Sequence, residues 1–455
     1  MKNGKRSSFS GKLGYVLAAA GASVGLGNIW RFPYLAAKYG GGIFLIIYIV
    51  LALTFGYTMI VAETAIGRMT RKSPVGAFKS FGKKKWLSFG GWINAVIPVL
   101  IVPYYSVIGG WVIKYLVEYF RGNAKLLAED GYFTDFISNG VSTELCFVAF
   151  CAFTLIIIFA GVQNGIERVS KIMMPILIVL SVIIAVYSVT RPGALAGVKY
   201  FLVPNVKNFS WMTVVSAMGQ MFYSLSIAMG ILITFGSYMK KDTAIEDSTR
   251  NVEVFDTGIA IMAGLMIIPA VFAFSGGDPD TLQAGPSLMF ITIPKVFQNM
   301  GFGTVIGIVF FLLVLFAAVT SSIALTESAV STFEDELGWG RKKATVLVGV
   351  IMLVLGSLSS LGYGPLAGIK IIGMQFLDLF DFLTNSVMMP IAALITSLLV
   401  SRVVGIDKIE EEIIHGESAF RRKKVFVVMI KYLCPVFAII ILLSSVANAL
   451  GWIKM

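Results

Sequence analysis

Gly21-Ala22-Ser23-Val24-Gly25-Leu26-Gly27-Asn28, followed at once by Ile29-Trp30-Arg31-Phe32-Pro33, breaks an apolar run that extends from Leu13 to Lys38. In hydrocarbon an unpaired backbone is tolerated only where it is buried in protein or lines a cavity. The break therefore predicts a binding site. A second interruption, Ser224-Leu225-Ser226-Ile227-Ala228-Met229-Gly230, falls about half a chain later inside the apolar run from Trp211 to Tyr238. Paired breaks in corresponding halves are the mark of a secondary transporter.

The rest of the chain supplies the membrane that this reading requires. Of 455 residues, 57% are hydrophobic and 14% charged, too apolar for a soluble protein of this length, so the chain reads as an all-α polytopic membrane protein. A helix needs roughly 20 apolar residues to cross a bilayer. On that measure about eleven segments are predicted, near 13–37, 41–67, 88–119, 143–162, 168–190, 211–238, 254–275, 304–333, 343–362, 374–403 and 425–452. Segments one to five and six to ten form two groups, each opening with its broken member. An odd number per group implies inverted repeats, about 13–190 and 211–403, within one transmembrane domain spanning 1–455, with the segment at about 425–452 left over.

Basic loops stay in the cytoplasm. With the N-terminus inside, cytoplasmic segments collect about 25 of the Lys and Arg residues, among them Arg68, Arg71, Lys72, Lys79 and Lys83–Lys85, and the opposite loops keep about nine. An odd helix count then puts Lys454 and Met455 outside. The net charge of +12 is thus a topological signal, and no soluble basic face exists for nucleic acid. Cys146, Cys151 and Cys434 lie in apolar helices without metal-ligand spacing, and His415 is the sole histidine. No disulfide framework, zinc site or histidine-based catalytic centre is expected. The basic start, Lys2 to Lys12, lacks a convincing cleavage site before the first helix and reads as retained. Between the outer ends of helices seven and eight, Gly276-Gly277-Asp278-Pro279 and Gly285-Pro286 suggest a short re-entrant hairpin over an outer vestibule. Gly165 to Pro175 reads either as a segment able to unwind or as a plain loop-to-helix boundary.

The run GASVGLGNIWRFPY from Gly21 to Tyr34 resembles the first-helix signature of the neurotransmitter:sodium symporter family. Further matches follow in order: GGGIFLIIY (Gly40–Tyr48), Glu63 with Gly67-Arg68, Tyr104-Tyr105, GIERVSKIMMP (Gly165–Pro175), GQMFYSLS (Gly219–Ser226), TSSIA (Thr320–Ala324) and EDE (Glu334–Glu336). They cover almost the whole chain, and eleven helices resemble the bacterial branch that carries hydrophobic and aromatic amino acids. The resemblance implies the leucine-transporter fold, a location in the bacterial cytoplasmic membrane, and two sodium ions as cosubstrates.

It also implies roles. The amides of Leu26 and Gly27 and the Tyr105 hydroxyl match the family's carboxylate-binding positions, suited by the positive ends of half-helices. Gly25 stands where monoamine carriers have Asp, which favours a substrate with its own carboxylate. The first sodium site would combine Ser23, Asn28, Ser224 and Asp256 with that carboxylate. The second would use carbonyls of Gly21, Val24 and Ala317 and hydroxyls of Thr320 and Ser321. Oxygen donors of this kind suit a hard cation. Asp256 stands where many relatives have an amide, and Ala260 lacks the hydroxyl that helps chloride-requiring members hold their anion. No chloride requirement is expected. Side-chain selectivity would rest with Ile101, Ile108, Tyr223, Ser226, Met229, Ser321 and Leu325, with Ala228 in place of a common Gly narrowing the pocket. Flexible Met229 adapts to bulky ligands. Arg31 and Asp381, with Gln220 nearby, would pair across the outer entrance, and Arg6 and Asp335 across the inner one, helped by Tyr238; Phe9 in place of the usual Trp suggests a looser inner plug.

The expected activity is sodium-coupled uptake of hydrophobic or aromatic L-amino acids by alternating access. The rival readings are a carrier of a small amino acid, amine or osmolyte on the same fold, and an amino-acid sensor without transport. A channel needs a continuous polar pore and an enzyme a nucleophile with its base, and the sequence offers neither. Oligomeric state is not legible.

Overall fold

The computed structural model describes residues 6–276 and 285–449. Lys454, Met455, the Lys2–Lys5 part of the basic start and the Gly277–Pro279 part of the expected hairpin lie outside the described residues. Nine helices are long and apolar enough to cross a membrane among the described residues. They are α2 (Gly42–Thr70), α3 (Lys85–Phe120), α4 (Gly140–Phe159), α5 (Val162–Val189), α7 (Ile245–Ser275), α8 (Gly303–Leu337), α9 (Arg341–Leu361), α10 (Phe376–Val404) and α11 (Lys423–Asn448). Two broken spans complete the set. In the first, α1a (Lys12–Ser23) and α1b (Gly27–Lys38) meet at 53°. In the second, α6a (Trp211–Ser224) and α6b (Ile231–Tyr238) are separated by residues 225–230.

Contacts pair up when each helix is exchanged with the one five later. α1a packs on α7 as α6b packs on α2; α3 meets α8 and α4 meets α9; α5 packs on α8 as α10 packs on α3. Two repeats of inverted topology produce this pattern. Large apolar side chains on α4, α5 and α11 face outward, Ile156 at 67% and Leu443 at 64% exposure. That is the arrangement expected where lipid is the solvent. Between helices, small residues let backbones approach. A Cβ on Gly67 of α2 would lie 2.0 Å from the Ile233 carbonyl oxygen of α6b, and one on Gly236 of α6b would lie 2.4 Å from that of Thr64 on α2. Any side chain at either position would push the two helices apart.

Two expectations change in detail. The glycine-rich stretch spans 21–28, but the helix is lost only around Val24 and Gly25, resuming through a π turn at Gly27–Arg31. Gly21 is still helical and is small for packing: its Cβ would come within 3.1 Å of Thr320 Cβ. Gly165 lies in a π turn, Val162–Glu167, that runs directly into Arg168–Val189, and Pro175 sits inside that unbroken helix. The segment is neither unwound nor a loop boundary here. Beyond α7, the far limb of the outer segment is helical from Leu288 to Asn299, with Leu288, Phe290 and Phe297 buried.

Candidate functional site

The two breaks face each other at the centre of the protein and leave polar backbone and hydroxyls that must find partners there. Ala22, Ser23, Gly25, Leu26, Gly27 and Asn28 from the first break meet Tyr223, Ser224, Ser226 and Met229 from the second. Ile101 and Tyr105 of α3 and Ser321 and Leu325 of α8 close the sides. The enclosed space is about 30 Å³, room for water rather than an amino acid. Immediately outside lies a second cavity of about 530 Å³ lined by Trp30, Arg31, Tyr104, Ile108, Tyr223, Asp381 and Asn385, among others. Ile108, expected in the inner pocket, lines this outer cavity instead, because it sits two turns further along α3 than Ile101. Tyr223 belongs to both linings and forms the partition between them.

Two glycines make this geometry possible. A Cβ on Gly27 would lie 2.3 Å from the Tyr223 ring, and one on Gly25 would lie 2.7 Å from Ser321 Oγ and 3.1 Å from the Tyr105 hydroxyl. A side chain at Gly27 would displace the Tyr223 ring, and one at Gly25 would displace Ser321 and Tyr105. The Leu26 amide donates to the Tyr105 hydroxyl at 3.3 Å, so two of the groups expected to hold a carboxylate already converge on one point.

Beside the pocket is a buried polar cluster around Asp256. Its carboxylate accepts from Asn28 Nδ2 (2.8 Å), the Ser224 hydroxyl (2.8 Å) and the Tyr48 hydroxyl (2.8 Å). Asn28 also donates to Ser224 Oγ at 2.9 Å, while its carbonyl accepts from the Gly25 amide at 3.2 Å. All four side chains are essentially inaccessible. Burying a carboxylate at membrane depth costs a few kcal/mol unless partners satisfy it, and no cationic side chain is among its hydrogen-bond partners here. Asp256 is thus a buried carboxylate whose hydrogen-bond partners among the described residues are all neutral. Ala260, one turn on, is fully buried. Tyr48 belongs to a motif noted in the sequence, but its role was not legible there; the signal was a hydroxyl embedded in an apolar helix.

On the opposite side of the first break, Ser321 Oγ lies 3.2–3.3 Å from three carbonyl oxygens, those of Gly21, Ala22 and Val24. Thr320 bonds back to the carbonyls of Phe316 (2.9 Å) and Ala317 (3.1 Å), as hydroxyls in helices commonly do. The expected residues of this second cluster therefore meet, and the Ala22 carbonyl joins them. Carbonyls and hydroxyls without a nitrogen or sulfur donor match a hard monovalent cation.

The second break carries strain. Ser226 and Ala228 have φ of +53° and +59°, a region that costs a residue with a Cβ about 1–2 kcal/mol. Hydrogen bonds hold it: Ser226 Oγ donates to the Ala22 carbonyl at 2.9 Å and the Ala228 amide to Glu63 Oε1 at 2.8 Å. Ala228 does not line the pocket, so its methyl strains the backbone instead of narrowing the cavity. Glu63, an intramembrane carboxylate noted only as part of a motif, is the residue that fixes the break.

The two gates differ. At the inner end Arg6 pairs with Asp335 at 2.6 Å and donates to Ser331 (2.8 Å) and Ser237 (2.9 Å). Asp335 also accepts from the Ser73 amide at 2.6 Å. Tyr238 lies under the Arg6 guanidinium and donates to Glu327 at 2.7 Å, which Arg341 clamps through both oxygens. Phe9 is 1% exposed and meets Tyr15, Phe235 and Tyr238 edge-on; the smaller ring is tightly packed rather than loose. At the outer end the expected Arg31–Asp381 pair is not formed. The guanidinium of Arg31 sits over the Tyr223 ring at 5.3 Å, while Asp381 accepts from Tyr104 (3.2 Å) and Asn385 (2.5 Å). The reason is geometric, since both residues line the outer cavity and each is turned to other partners, Arg31 to the Tyr223 ring and Asp381 to Tyr104 and Asn385. Gln220 is buried below, donating to the Gly27 carbonyl at 3.0 Å. The inner side is latched and the outer side open down to Tyr223.

Residues 6–127 and 134–452 match the description of the Sodium:neurotransmitter symporter family. The uncharacterized sodium-dependent transporter YhdH of Bacillus subtilis is 34% identical over 450 residues, covering 98% of this chain and 99% of the relative. The sodium- and chloride-dependent GABA transporter 2 of Homo sapiens is 26% identical, with 90% of this chain and 75% of the relative covered. Among solved structures, MhsT in complex with L-phenylalanine superposes with a TM-score of 0.86 at 35% identity, over 97% of this chain and 100% of MhsT.

Proposed function

The chain belongs to the sodium:neurotransmitter symporter family and is a multi-pass, sodium-coupled secondary transporter, not an enzyme; from that premise we propose that its substrates are hydrophobic or aromatic L-amino acids and that it needs no chloride. The observation that carries this reading is the pairing, at one pocket, of a polar wall built from helix breaks with an apolar wall built from Ile101, Met229 and Leu325. A zwitterion presents its carboxylate to the Leu26 and Gly27 amides and Tyr105, and its apolar side chain to the other wall. The inner space is too small for such a side chain as it stands, so binding moves Tyr223 and Met229 aside. Tyr223 borders the outer cavity, and Met229 has a flexible thioether that can repack.

In this proposal Ser23, Asn28, Ser224 and Asp256, with the substrate carboxylate, hold one sodium ion. Gly21, Val24, Ala317, Thr320 and Ser321, with the Ala22 carbonyl added, hold a second. Asp256 supplies inside the protein the negative charge that chloride-dependent relatives recruit from solution. Sodium stabilises the outward-open arrangement. Substrate then completes the first site and draws Arg31 toward Asp381, after which the Arg6–Asp335 latch opens. The two halves, about 13–190 and 211–403, move as repeats about the fixed site, in a bacterial inner membrane with the N-terminus inside and the C-terminus outside.

Displacement of radiolabelled phenylalanine from the purified protein in sodium tests the substrate class. Tryptophan, tyrosine and leucine are expected to compete. Competition by glycine, GABA or betaine as strong as that of leucine would overturn the reading in favour of a small-solute carrier.

A further inference from the structure

Most charges on the latched face are spoken for. Arg68 and Lys241 share Glu412, Lys423 pairs with Glu410, Arg422 with Glu253, and Arg250 with Asp247. Lys83–Lys85, Arg168, Lys342, Lys343 and Lys408 are exposed with no hydrogen-bond or ion-pair partner for the side chain among the described residues, and so are Arg402, Lys424 and Lys431, which differ from them in place rather than in pairing. These last three occupy one seam. The last turns of α10, Leu399–Val404, pack against the π turn Met429–Leu433 of α11, which places Arg402 and Lys431 on adjoining turns. Lys424, Val428 and Lys431 follow one stripe of α11, and Val428 (50%) and Tyr432 (65%) show that this stripe faces outward.

Depth separates Lys431 from an ordinary flanking lysine. The 26 residues of α11 extend about 39 Å at 1.5 Å per residue, against a hydrocarbon core of about 30 Å. Shared between the two ends, the excess puts about three residues at its start in the headgroup layer, and Lys431, about 12 Å along the helix, falls one to two turns inside the boundary. A lysine there reaches back to the interface with its ammonium, beside exposed Tyr432 at the level where aromatic residues mark headgroups. Orientation of the chain is already signalled by the basic loops. A further unpaired cation on a lipid-facing stripe has no topological purpose and calls for an anion on the lipid side.

We infer that the α10–α11 seam binds the headgroup phosphate of an anionic phospholipid, held by Lys431 and Arg402 with Lys424 at its rim, and its acyl chains against the outward stripe that continues through Val436 and Leu443. In the orientation proposed above, the lipid belongs to the cytoplasmic leaflet. Two unpaired cations on turns that pack together match one phosphodiester, and neutral phosphatidylcholine offers no net charge to meet them. Because the Arg421 and Arg422 amides at the start of α11 donate to Glu246 of α7 at 2.8 and 2.9 Å, a lipid bound here steadies the junction between α11 and α7.

The test is titration of the delipidated full-length protein with phosphatidylglycerol, followed by native mass spectrometry. One tightly bound lipid per chain is expected. Each basic residue near a membrane surface contributes about fivefold in affinity, so the R402Q/K424Q/K431Q variant should bind on the order of a hundredfold more weakly. K424R/K431R should bind like the wild type, and K343Q, altered at the exposed start of α9, should too. Binding by the triple variant within threefold of the wild type overturns the proposal, as does equal binding of phosphatidylcholine. Equally effective competition by soluble glycerol phosphate would mark a free-anion site and overturn it as well. Sodium-dependent thermal stabilisation reports that each variant is folded; if the triple variant fails it, R402Q and K431Q singly should each lose about fivefold, and no loss in either overturns the proposal.

Discussion

Asp256→Asn removes a charge from the candidate ion site with almost no change of shape, and its effect follows from the geometry. The carboxylate accepts three hydrogen bonds, from Asn28, Ser224 and Tyr48. An Asn carbonyl keeps the bonds from Asn28 and Ser224, and its amino group can donate to a rotated Tyr48 hydroxyl. Folding stability should therefore change by less than about 1 kcal/mol, the net worth of one exchanged hydrogen bond. Ion affinity should change far more. Two unit charges 4 Å apart attract by about 4 kcal/mol at an effective dielectric of 20. Part of this is offset because the unliganded site no longer carries an isolated charge. A loss of about 3 kcal/mol remains, or a rise of roughly a hundredfold in half-saturating sodium at 1.4 kcal/mol per factor of ten. The assay is sodium-dependent binding of labelled phenylalanine, with thermal unfolding as the control. Adding Ala260→Ser beside it restores a hydroxyl for an anion, and the double variant should regain binding only in chloride. Wild-type sodium dependence in Asp256→Asn would refute the claim that this carboxylate is the fixed countercharge.

Removing the inner latch with Arg6→Ala deletes the Asp335 pair and the bonds to Ser237 and Ser331, and should favour inner opening by about 1–2 kcal/mol; a Cys placed at buried Ser328 should label about tenfold faster, and an unchanged rate would make the pair a static bridge. Ala228→Gly relieves a φ of +59° and, net of the chain entropy that Gly adds when unfolded, should stabilise the protein by about 0.5–1 kcal/mol; a lower unfolding midpoint would contradict the strain assigned to the second break. Met229→Phe replaces a flexible wall with a stiff one, so binding of tryptophan should fall about tenfold relative to leucine; an unchanged ratio would move selectivity to other residues.

Much of this could be read from the sequence because hydrocarbon leaves the backbone few choices. Any stretch that interrupts an apolar run, such as 21–28 or 224–230, must be sheltered, and shelter in two halves defines a site. The positions of Ser23, Asn28, Ser224 and Asp256 followed from motif order. What the sequence hid was set by packing across helices. It could not show that Gly21 stays helical while Val24 does not, since both lie in one small-residue stretch and only Thr320 against Gly21 separates them. Nor could it place Ile108, one helical face but two turns from Ile101, on the far side of Tyr223. The hydroxyl of Tyr48 and the carboxylate of Glu63 acquire roles only through partners about 208 and 165 residues away. The outer pair is unformed for a different reason: a charged pair implied by resemblance states which groups can meet, whereas the conformation decides whether they do.

The most direct test is concentrative uptake of labelled phenylalanine into proteoliposomes under an inward sodium gradient, with external chloride present or replaced by gluconate. The account predicts accumulation that collapses when the sodium gradient is removed and is unchanged by the loss of chloride. Equal accumulation without the sodium gradient, or a marked fall without chloride, would contradict it.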